Sequence, residues 1–280
     1  MDIDLHCHST ASDGVLTPDS LVLRAYEKGV KVLALTDHDT VEGLALARDT
    51  ANKLGIQLIN GIEFSATHLG ATVHILGYDF RLNDPAILSA CERLKQARWS
   101  RAIEIAERLA KKGMGNALEG AIAVQAERGE SENAPARPHF AQFLVNQGYV
   151  KDFSEAFRKW LGAGKVGDVK QHWPCMEQVL ETLHQANAWI SLAHPYQYNF
   201  TRTKRRRLVS DFAALGGHAL EVSNGMQPAE EVGVLSILAR EFQLMGSAGS
   251  DFHLPKPWSE LGVYRPFAND LPALWQNFQC

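Results

Sequence analysis

Short apolar runs alternate with helical patterns in two separate parts of this chain. In residues 1–85, strand-like runs such as VKVLALTDH precede helical patterns that end at glycine, such as VEGLALARDTANKLG. The alternation returns after residue 171 in MEQVLETLHQANA, WISLAHP, KRRRLVSDFAALGG and ALEVSN. Strand–helix–strand units at this spacing predict right-handed crossovers and a parallel sheet. We therefore predict an α/β fold, a (β/α) barrel formed by residues 1–85 and 171–280.

Residues 86–170 show only helical periodicity, beginning with AILSACERLKQARWSRAIEIAERLAKKG. This region predicts a helical insertion that interrupts the barrel and serves as a cap for the substrate. Near the end of the chain, LMGSAGSDFH and LGVYRPF have the composition of two further strands.

Composition and charge restrict the partners. The formal charge of −4 provides no global attraction for nucleic acid, so a polyanionic substrate needs local cations or bound metal ions. No apolar run approaches the ~20 residues of a membrane span, and no charged-then-apolar leader precedes the first strand. The cysteines have no disulfide-framework or metal-motif spacing, which favours free thiols: Cys7, Cys91, Cys175 and Cys280. We expect a cytoplasmic protein without a membrane or obligatory protein partner.

Nine side chains of metal-binding type lie at or near the ends of strand-like runs. They are His6, His8 and Asp13 in DLHCHSTASDG, His38 in LALTDHDT, Glu63 in NGIEFS, His74 in TVHILGY, His194 in SLAHPY, and Asp251 and His253 in AGSDFH. The carboxyl ends of barrel strands meet at one face, where barrel enzymes hold their active sites. Six imidazoles and three carboxylates there predict a multinuclear centre. Such a ligand set suits Mn²⁺, Fe²⁺ or Zn²⁺ better than Mg²⁺, and we favour manganese.

These motifs, in this order, resemble the PHP (polymerase and histidinol phosphatase) superfamily. ARPHFAQFLVNQGYV and AFRKWLGAGKVG resemble its branch with RNase AM and the nucleoside 3′,5′-bisphosphate phosphatases. The resemblance implies a distorted seven-stranded (β/α) barrel with two or three divalent metals. It implies one ion held by His6, His8, Glu63 and Asp251, a second by Asp13, His38 and His253, and a third by Glu63, His74 and His194.

The resemblance also implies a reaction. A metal-bound hydroxide would hydrolyse the 3′-phosphate of a nucleoside 3′,5′-bisphosphate and leave the 5′-mononucleotide and phosphate. Asp13, His38 and His194 are its expected catalytic residues. An alternative is 5′-to-3′ exoribonuclease activity on short 5′-phosphorylated RNA at the same site. A histidinol phosphate phosphatase and a non-catalytic metal- or nucleotide-binding module remain further alternatives.

Several residues are candidates for substrate contact. Arg137 and His139 in ARPHF begin a predicted helix and are interpreted as binding a phosphate, in preference to the alternative that Arg137 is a helix-capping residue on a solvated surface. Lys165 in GAGKVG lies between glycines that allow close approach of a ligand. Ser65 and Asn224 at strand ends contact substrate or only close turns.

A basic run, TRTKRRR, follows the AHP strand and contains Arg202, Lys204, Arg205, Arg206 and Arg207. It is interpreted either as the solvated start of a helix or as a track for the phosphates of an RNA tail.

Overall fold

The computed structural model describes residues 2–127, 133–169 and 173–279. The chain divides into two compact units. The first consists of Met1–Cys91 and Pro174–Cys280, and the second of Glu92–Trp173.

A seven-stranded sheet in sequence order forms the first unit. Its strands are β1 (Ile3–Asp4), β2 (Val32–Leu35), β3 (Gln57–His68), β4 (Ala71–Tyr78), β5 (Trp189–Leu192), β6 (Ala219–Asn224) and β7 (Met245–Gly249). The two edges meet, because the Leu5 amide donates to the Ala248 carbonyl at 3.2 Å and the Asp251 amide to that of His6 at 2.8 Å. The predicted α/β barrel of seven strands is therefore confirmed.

The helices of the described residues follow the predicted patterns closely. They are α1 (Pro18–Glu27), α2 (Leu44–Leu54), α3 (Pro85–Ala110), α4 (Ala117–Glu127), α5 (Arg137–Asn146), α6 (Phe153–Ala156), α7 (Met176–Gln185), α8 (Arg202–Ala214) and α9 (Ala229–Glu241). Apolar faces explain the barrel helices: α7, for example, buries Val179, Leu180 and Leu183. Helix α2 ends at Gly55, whose φ of 72° is the left-handed conformation that favours glycine.

The prediction of a wholly parallel sheet is wrong for β4, which is antiparallel to both β3 and β5. Only Leu69 and Gly70 separate β3 from β4, and both have positive φ, 49° and 72°. Such a two-residue turn builds a hairpin, whereas a parallel connection needs a dozen or more residues. The start of β4 therefore lies at the rim where the other strands end.

The prediction of a strand in LGVYRPF is also wrong, since these residues form no strand. Their backbone groups form hydrogen bonds with side chains and not with a neighbouring strand. The Gly262 amide donates to Asp4 Oδ2 at 2.8 Å, and Ser223 Oγ donates to the Arg265 carbonyl at 2.6 Å. Leu261 and Tyr264 are buried, which explains the apolar pattern.

In the second unit, the described residues form helices and turns. The long α3 begins in the first unit and continues into the second. A π-helical turn at Phe157–Leu161 follows α6. The core of this unit is apolar, with Ile105, Leu109, Phe140, Leu144 and Leu161 among its buried side chains.

Two further findings concern the described residues alone. No helix in ranges 2–127, 133–169 and 173–279 combines the length and apolarity needed to span a membrane. Cys7, Cys91 and Cys175 are free thiols, and Cys280 lies outside the described residues.

Candidate metal centre

The structure brings all nine predicted metal-type side chains together at one rim of the barrel. Four groups have donor atoms within 4.8 Å of one another: His8, Asp13, His38 and His253; His6, His8 and Asp251; His6, Glu63 and His194; and His38, Glu63 and His74. Strand geometry explains the convergence, because β1, β2, β5 and β7 end at this rim and Glu63 reaches it from within β3. His74 reaches it from within the reversed β4, opposite Ser65 of β3.

Glu63 lies at the centre, with no exposed side-chain surface. Its Oε1 is 3.0 Å from His74 Nδ1 and 2.9 Å from His194 Nε2. Its Oε2 faces three more ring nitrogens within 3.3 Å, those of His6, His8 and His38. One carboxylate thus faces five histidines and would be shared by any divalent ions that they hold.

The donor atoms fit divalent ions. Among the described residues, Glu63 Oε2 and the buried Nδ1 atoms of His8 and His38 have no hydrogen-bond partner. Unpartnered buried polar atoms are costly, so this arrangement of donor atoms fits a bound cation. The Nε2 atoms of His6 and His8 lie 3.1 Å apart. Ligands about 2.1 Å from a common ion are roughly 3.0–3.4 Å from one another, so this spacing suits shared coordination.

Asp13 and His253 form the outer side of the centre. Asp13 Oδ1 is 3.3 Å from His253 Nε2, and Asp13 Oδ2 is 3.9 Å from His38 Nε2. The Asp13 side chain is 36% exposed, the largest value among the nine. The opening of the centre is therefore on the side of Asp13.

Charge in the centre keeps its acids ionised. Burial alone would raise the pKa of Glu63, but neighbouring His38 and His6 hold this pKa well below its usual range. At Asp251, burial would also raise the pKa, but His6 and His8 hold this pKa well below its usual range. Anionic carboxylates at neutral pH are the form that binds cations.

Sequence reasoning missed Glu221, a buried residue of β6. Its Oε1 accepts a hydrogen bond from His6 Nδ1 at 2.9 Å, and its Oε2 accepts one from the His194 amide at 2.6 Å. A proton on Nδ1 leaves Nε2 of His6 as the ligand atom. The available signal was an acidic residue inside the apolar strand ALEVSN, because unpaired acids are rarely buried.

Other polar residues hold the loops that carry the ligands. Asp39 accepts from the Ser65 amide at 2.6 Å and from Ser65 Oγ at 2.9 Å. Asn224 Oδ1 accepts from Gln197 Nε2 at 2.7 Å, and Asn224 Nδ2 donates to Glu221 at 3.2 Å. Ser65 and Asn224, predicted as substrate contacts, are thus near the centre and already bonded within the protein.

Backbone strain occurs at two ligand positions just beyond strand ends. His194 has a φ of 28° and Asp251 a φ of 53°, a region that residues other than glycine seldom occupy. Strain of this kind persists where surrounding contacts enforce it, often at functional sites.

Three predicted substrate-binding residues lie in the second unit. Arg137 Nη1 donates to the Leu161 carbonyl at 3.3 Å and is 3.9 Å from Asp168 Oδ1. His139 Nδ1 accepts from the Ala136 amide at 2.9 Å and caps the start of α5. Lys165 lies in an exposed turn. The first two therefore have structural partners within their own unit.

Comparisons with known proteins agree with this geometry. The family model for the PHP domain matches residues 4–192. A 5′-3′ exoribonuclease of Haemophilus influenzae is 41% identical, covering 98% of this chain and 98% of its own. A 3′,5′-nucleoside bisphosphate phosphatase of Chromobacterium violaceum is 36% identical, covering 98% of this chain and 93% of its own. A solved structure from Chromobacterium violaceum, described as an amidohydrolase with bound sulfate and no metal, has a TM-score of 0.88 at 34% identity; the match covers 99% of this chain and 95% of that one.

Proposed function

The chain belongs to the PHP domain family, and from that premise we propose that it removes the 3′-phosphate of nucleoside 3′,5′-bisphosphates. The products are a 5′-mononucleotide and phosphate. The resemblance found in the sequence motifs is confirmed, and both curated relatives are named for hydrolysis of phosphate esters. The observation that carries the proposal is the buried Glu63 carboxylate, surrounded by five histidines.

We propose two or three divalent ions in this centre, with manganese preferred over iron and zinc. The mixture of imidazole and carboxylate donors supports these metals, whereas Mg²⁺ favours oxygen ligands. Bound ions would neutralise phosphoryl oxygens and lower the pKa of coordinated water. We propose that the ions are shared as the family resemblance implies, with Glu63 among the ligands of both the first and the third ion.

Among the ligands, we assign the catalytic roles to Asp13, His38 and His194. His6, His8 and Glu63 have fully enclosed side chains and form the floor of the centre. Asp13 borders the opening, so a phosphate ester approaches from its side. His38 and His194 present ring nitrogens to the two oxygens of Glu63, at 3.1 Å and 2.9 Å, and keep the bridging carboxylate in place.

Substrate contacts are a separate part of the proposal. We propose that Arg137, His139 and Lys165 bind a phosphate, with the second unit serving as a substrate cap. The Arg137 side chain is 35% exposed and close to the N-terminus of α5, where backbone amides favour anions. Ser65 and Asn224 are proposed to contact the substrate beside the metal ligands.

A second candidate function uses the same bond cleavage. If the 3′-phosphate carries more nucleotides, hydrolysis of its bond to the 3′-oxygen releases a 5′-mononucleotide and leaves a shorter 5′-phosphorylated RNA. The match to a 5′-3′ exoribonuclease favours this candidate, as do Arg202 and Lys204, which have no acidic partner among the described residues.

The test is hydrolysis by the purified protein with added Mn²⁺. We expect phosphate release from adenosine 3′,5′-bisphosphate and mononucleotide release from a 5′-phosphorylated trinucleotide. Histidinol phosphate serves as the comparison substrate, and EDTA should abolish both activities. Hydrolysis of neither nucleotide would refute the proposal, and preferential hydrolysis of histidinol phosphate would replace it.

A further inference from the structure

The chain segment after β5 connects the metal centre to the basic start of α8. His194 follows β5 directly, and α8 begins at Arg202. Because β5 is parallel to β6 and ends at the ligand rim, the first turn of α8 also lies at that rim. The basic run is therefore beside the centre and not at the opposite end of the barrel.

Ring contacts connect His194 to Lys204 through Tyr198 and Phe200. The Tyr198 ring centroid is 5.4 Å from that of His194, and the Phe200 centroid is 5.7 Å from that of Tyr198. Lys204 Nζ lies 4.1 Å above the Phe200 ring. Tyr198 is also fixed from below, since its hydroxyl accepts a hydrogen bond from the His74 amide at 2.7 Å.

Most of the basic run has a structural purpose. Arg205 pairs with Glu231 at 2.8 Å, and Arg207 lies 3.6 Å from Asp211. Arg206 pairs with Glu241 at the end of α9. Arg205 and Arg206 thus connect α8 to α9, whereas Arg207 pairs within α8.

Arg202 and Lys204 differ from these three arginines. Neither has an acidic partner among the described residues, and the first turn of α8 contains no acidic residue. Cations near a helix N-terminus are electrostatically unfavourable, because the helix dipole is positive there. The helix dipole therefore opposes these two charges, neither charge is neutralised by an acid among the described residues, and their position suits an external anion.

The surface around Arg202 has the chemistry of a phosphate backbone site. A groove of about 390 Å³ is lined by Arg202, Thr203, Arg206, Arg207 and Ser210, which offer cations and hydroxyl groups. Phe200 is partly exposed, with Lys204 over one face of its ring, and we assign its exposed part to a base. Cations that follow the backbone, together with an aromatic stacking platform, are characteristic of single-stranded nucleic-acid binding.

We propose that Phe200, Arg202 and Lys204 form a β5–α8 surface that binds single-stranded RNA on the 3′ side of the cleaved bond. The inference rests on the proposed function in its exoribonuclease form. The surface would then recognise the nucleotides that follow the first one. A longer 5′-phosphorylated RNA is therefore used more efficiently than a bisphosphate.

The test compares two charge-matched double variants. Arg202→Ala with Lys204→Ala removes the surface cations. Lys53→Ala with Arg81→Ala removes one lysine and one arginine that are exposed at the opposite rim, near the end of α2 and after β4. For each protein, kcat and KM are measured with Mn²⁺ on adenosine 3′,5′-bisphosphate and on a 5′-phosphorylated RNA pentanucleotide.

We expect the Arg202/Lys204 variant to lose roughly tenfold in kcat/KM on the pentanucleotide, mainly through KM. Its kcat/KM on the bisphosphate should stay unchanged, as should both values for the Lys53/Arg81 variant. Binding of the pentanucleotide in EDTA, followed by fluorescence anisotropy, should show a salt dependence whose log–log slope falls by about 1.4, or 0.7 for each lost phosphate contact.

The outcomes separate this inference from the proposed function. If the unchanged protein hydrolyses neither substrate, the proposed function fails. If it hydrolyses both and the Arg202/Lys204 variant keeps its full efficiency on the pentanucleotide, only the RNA surface is refuted. An equal loss on both substrates also refutes it, because the two cations would then act on the metal centre and not on the RNA tail.

Discussion

His6 Nδ1 donates a hydrogen bond to Glu221 Oε1 over 2.9 Å, behind the atoms that face Glu63 and His8. The side chain of His6 is fully buried and that of Glu221 is 1% exposed. Because the proton is on Nδ1, Nε2 of His6 keeps its lone pair for an ion near Glu63 and His8. Glu221 also holds the strained backbone of His194, so one carboxylate orients two ligands from different strands.

Glu221→Gln should weaken metal binding. Glutamine has one acceptor oxygen where glutamate has two, so either His6 or His194 loses its hydrogen bond. We expect the affinity for Mn²⁺ to fall about 10- to 100-fold in calorimetric titrations of the metal-free protein. Glu231→Gln is the control, since it makes the same change in α9 at the partner of Arg205. Equal affinities for the two variants would contradict the role of Glu221.

The location of the ligands was accessible from sequence, but the network behind them was not. Seven of the nine proposed ligands follow a strand, Glu63 and His74 lie within β3 and β4, and a barrel gathers these positions at one rim. Glu221 occupies an ordinary strand position, and its partner His6 is 215 residues away in the chain. No local pattern indicates which distant ring a buried carboxylate will contact.

The reversal of β4 was foreseeable. FSATH and TVHIL are separated by only three residues, too few for the helix that a parallel crossover contains. The sequence does not indicate which charges of the basic run are paired. Arg205 and Arg206 are neutralised by α9 residues, and only the packing of α8 against α9 identifies which charges remain unpaired.

Gly249→Ala should disturb the metal centre by overpacking. A Cβ atom at Gly249 would lie 2.4 Å from His6 Cβ and 2.5 Å from the His6 amide nitrogen, and this backbone cannot swing aside. We expect a loss of about 1–3 kcal/mol in the free energy of unfolding and a lower affinity for Mn²⁺. Gly233→Ala, in α9 with open space around its Cβ position, should instead gain about 0.5–1 kcal/mol. Chemical denaturation measures both; equal stability changes would refute the packing explanation.

Asp13→Ala and His194→Ala should each lower kcat on adenosine 3′,5′-bisphosphate roughly 100-fold or more, because each removes a proposed metal ligand. Elemental analysis should show fewer bound ions per chain in both variants. His184→Ala removes an exposed histidine of α7 outside the nine and should retain wild-type turnover. Near-normal turnover in either ligand variant would show that its assignment to the centre is wrong.

Removal of divalent ions should destabilise the first unit. Without ions, Glu63 Oε2 and several buried ring nitrogens have no hydrogen-bond partner among the described residues. Mn²⁺ at a hundred times its Kd should add about 2.7 kcal/mol for one site, which corresponds to a rise in Tm of roughly 5–10 °C over the protein in EDTA. Calorimetric scans with Mg²⁺ should give a smaller rise. Identical melting in EDTA and Mn²⁺ would argue against a structural contribution of the ions.

Stability should also depend on pH through His218, which is remote from the metal ligands. Burial lowers the pKa of His218 from its ordinary 6.5, and nearby His184 lowers it further. Its Nδ1 accepts a hydrogen bond from the Ile190 amide at 3.0 Å, which requires the unprotonated atom. As the pH falls below 6.5, the unfolded chain takes up the proton first, so the folded state loses stability until the lower folded pKa is passed. His218→Asn places an amide oxygen where Nδ1 accepts its hydrogen bond. Asparagine does not titrate in this pH range. The free energy of unfolding is measured at pH 7.5 and pH 5 for the wild type and this variant, both proteins being saturated with Mn²⁺. The wild type should lose more unfolding free energy than the variant as the pH falls. Equal losses in the two proteins would exclude His218 as the source.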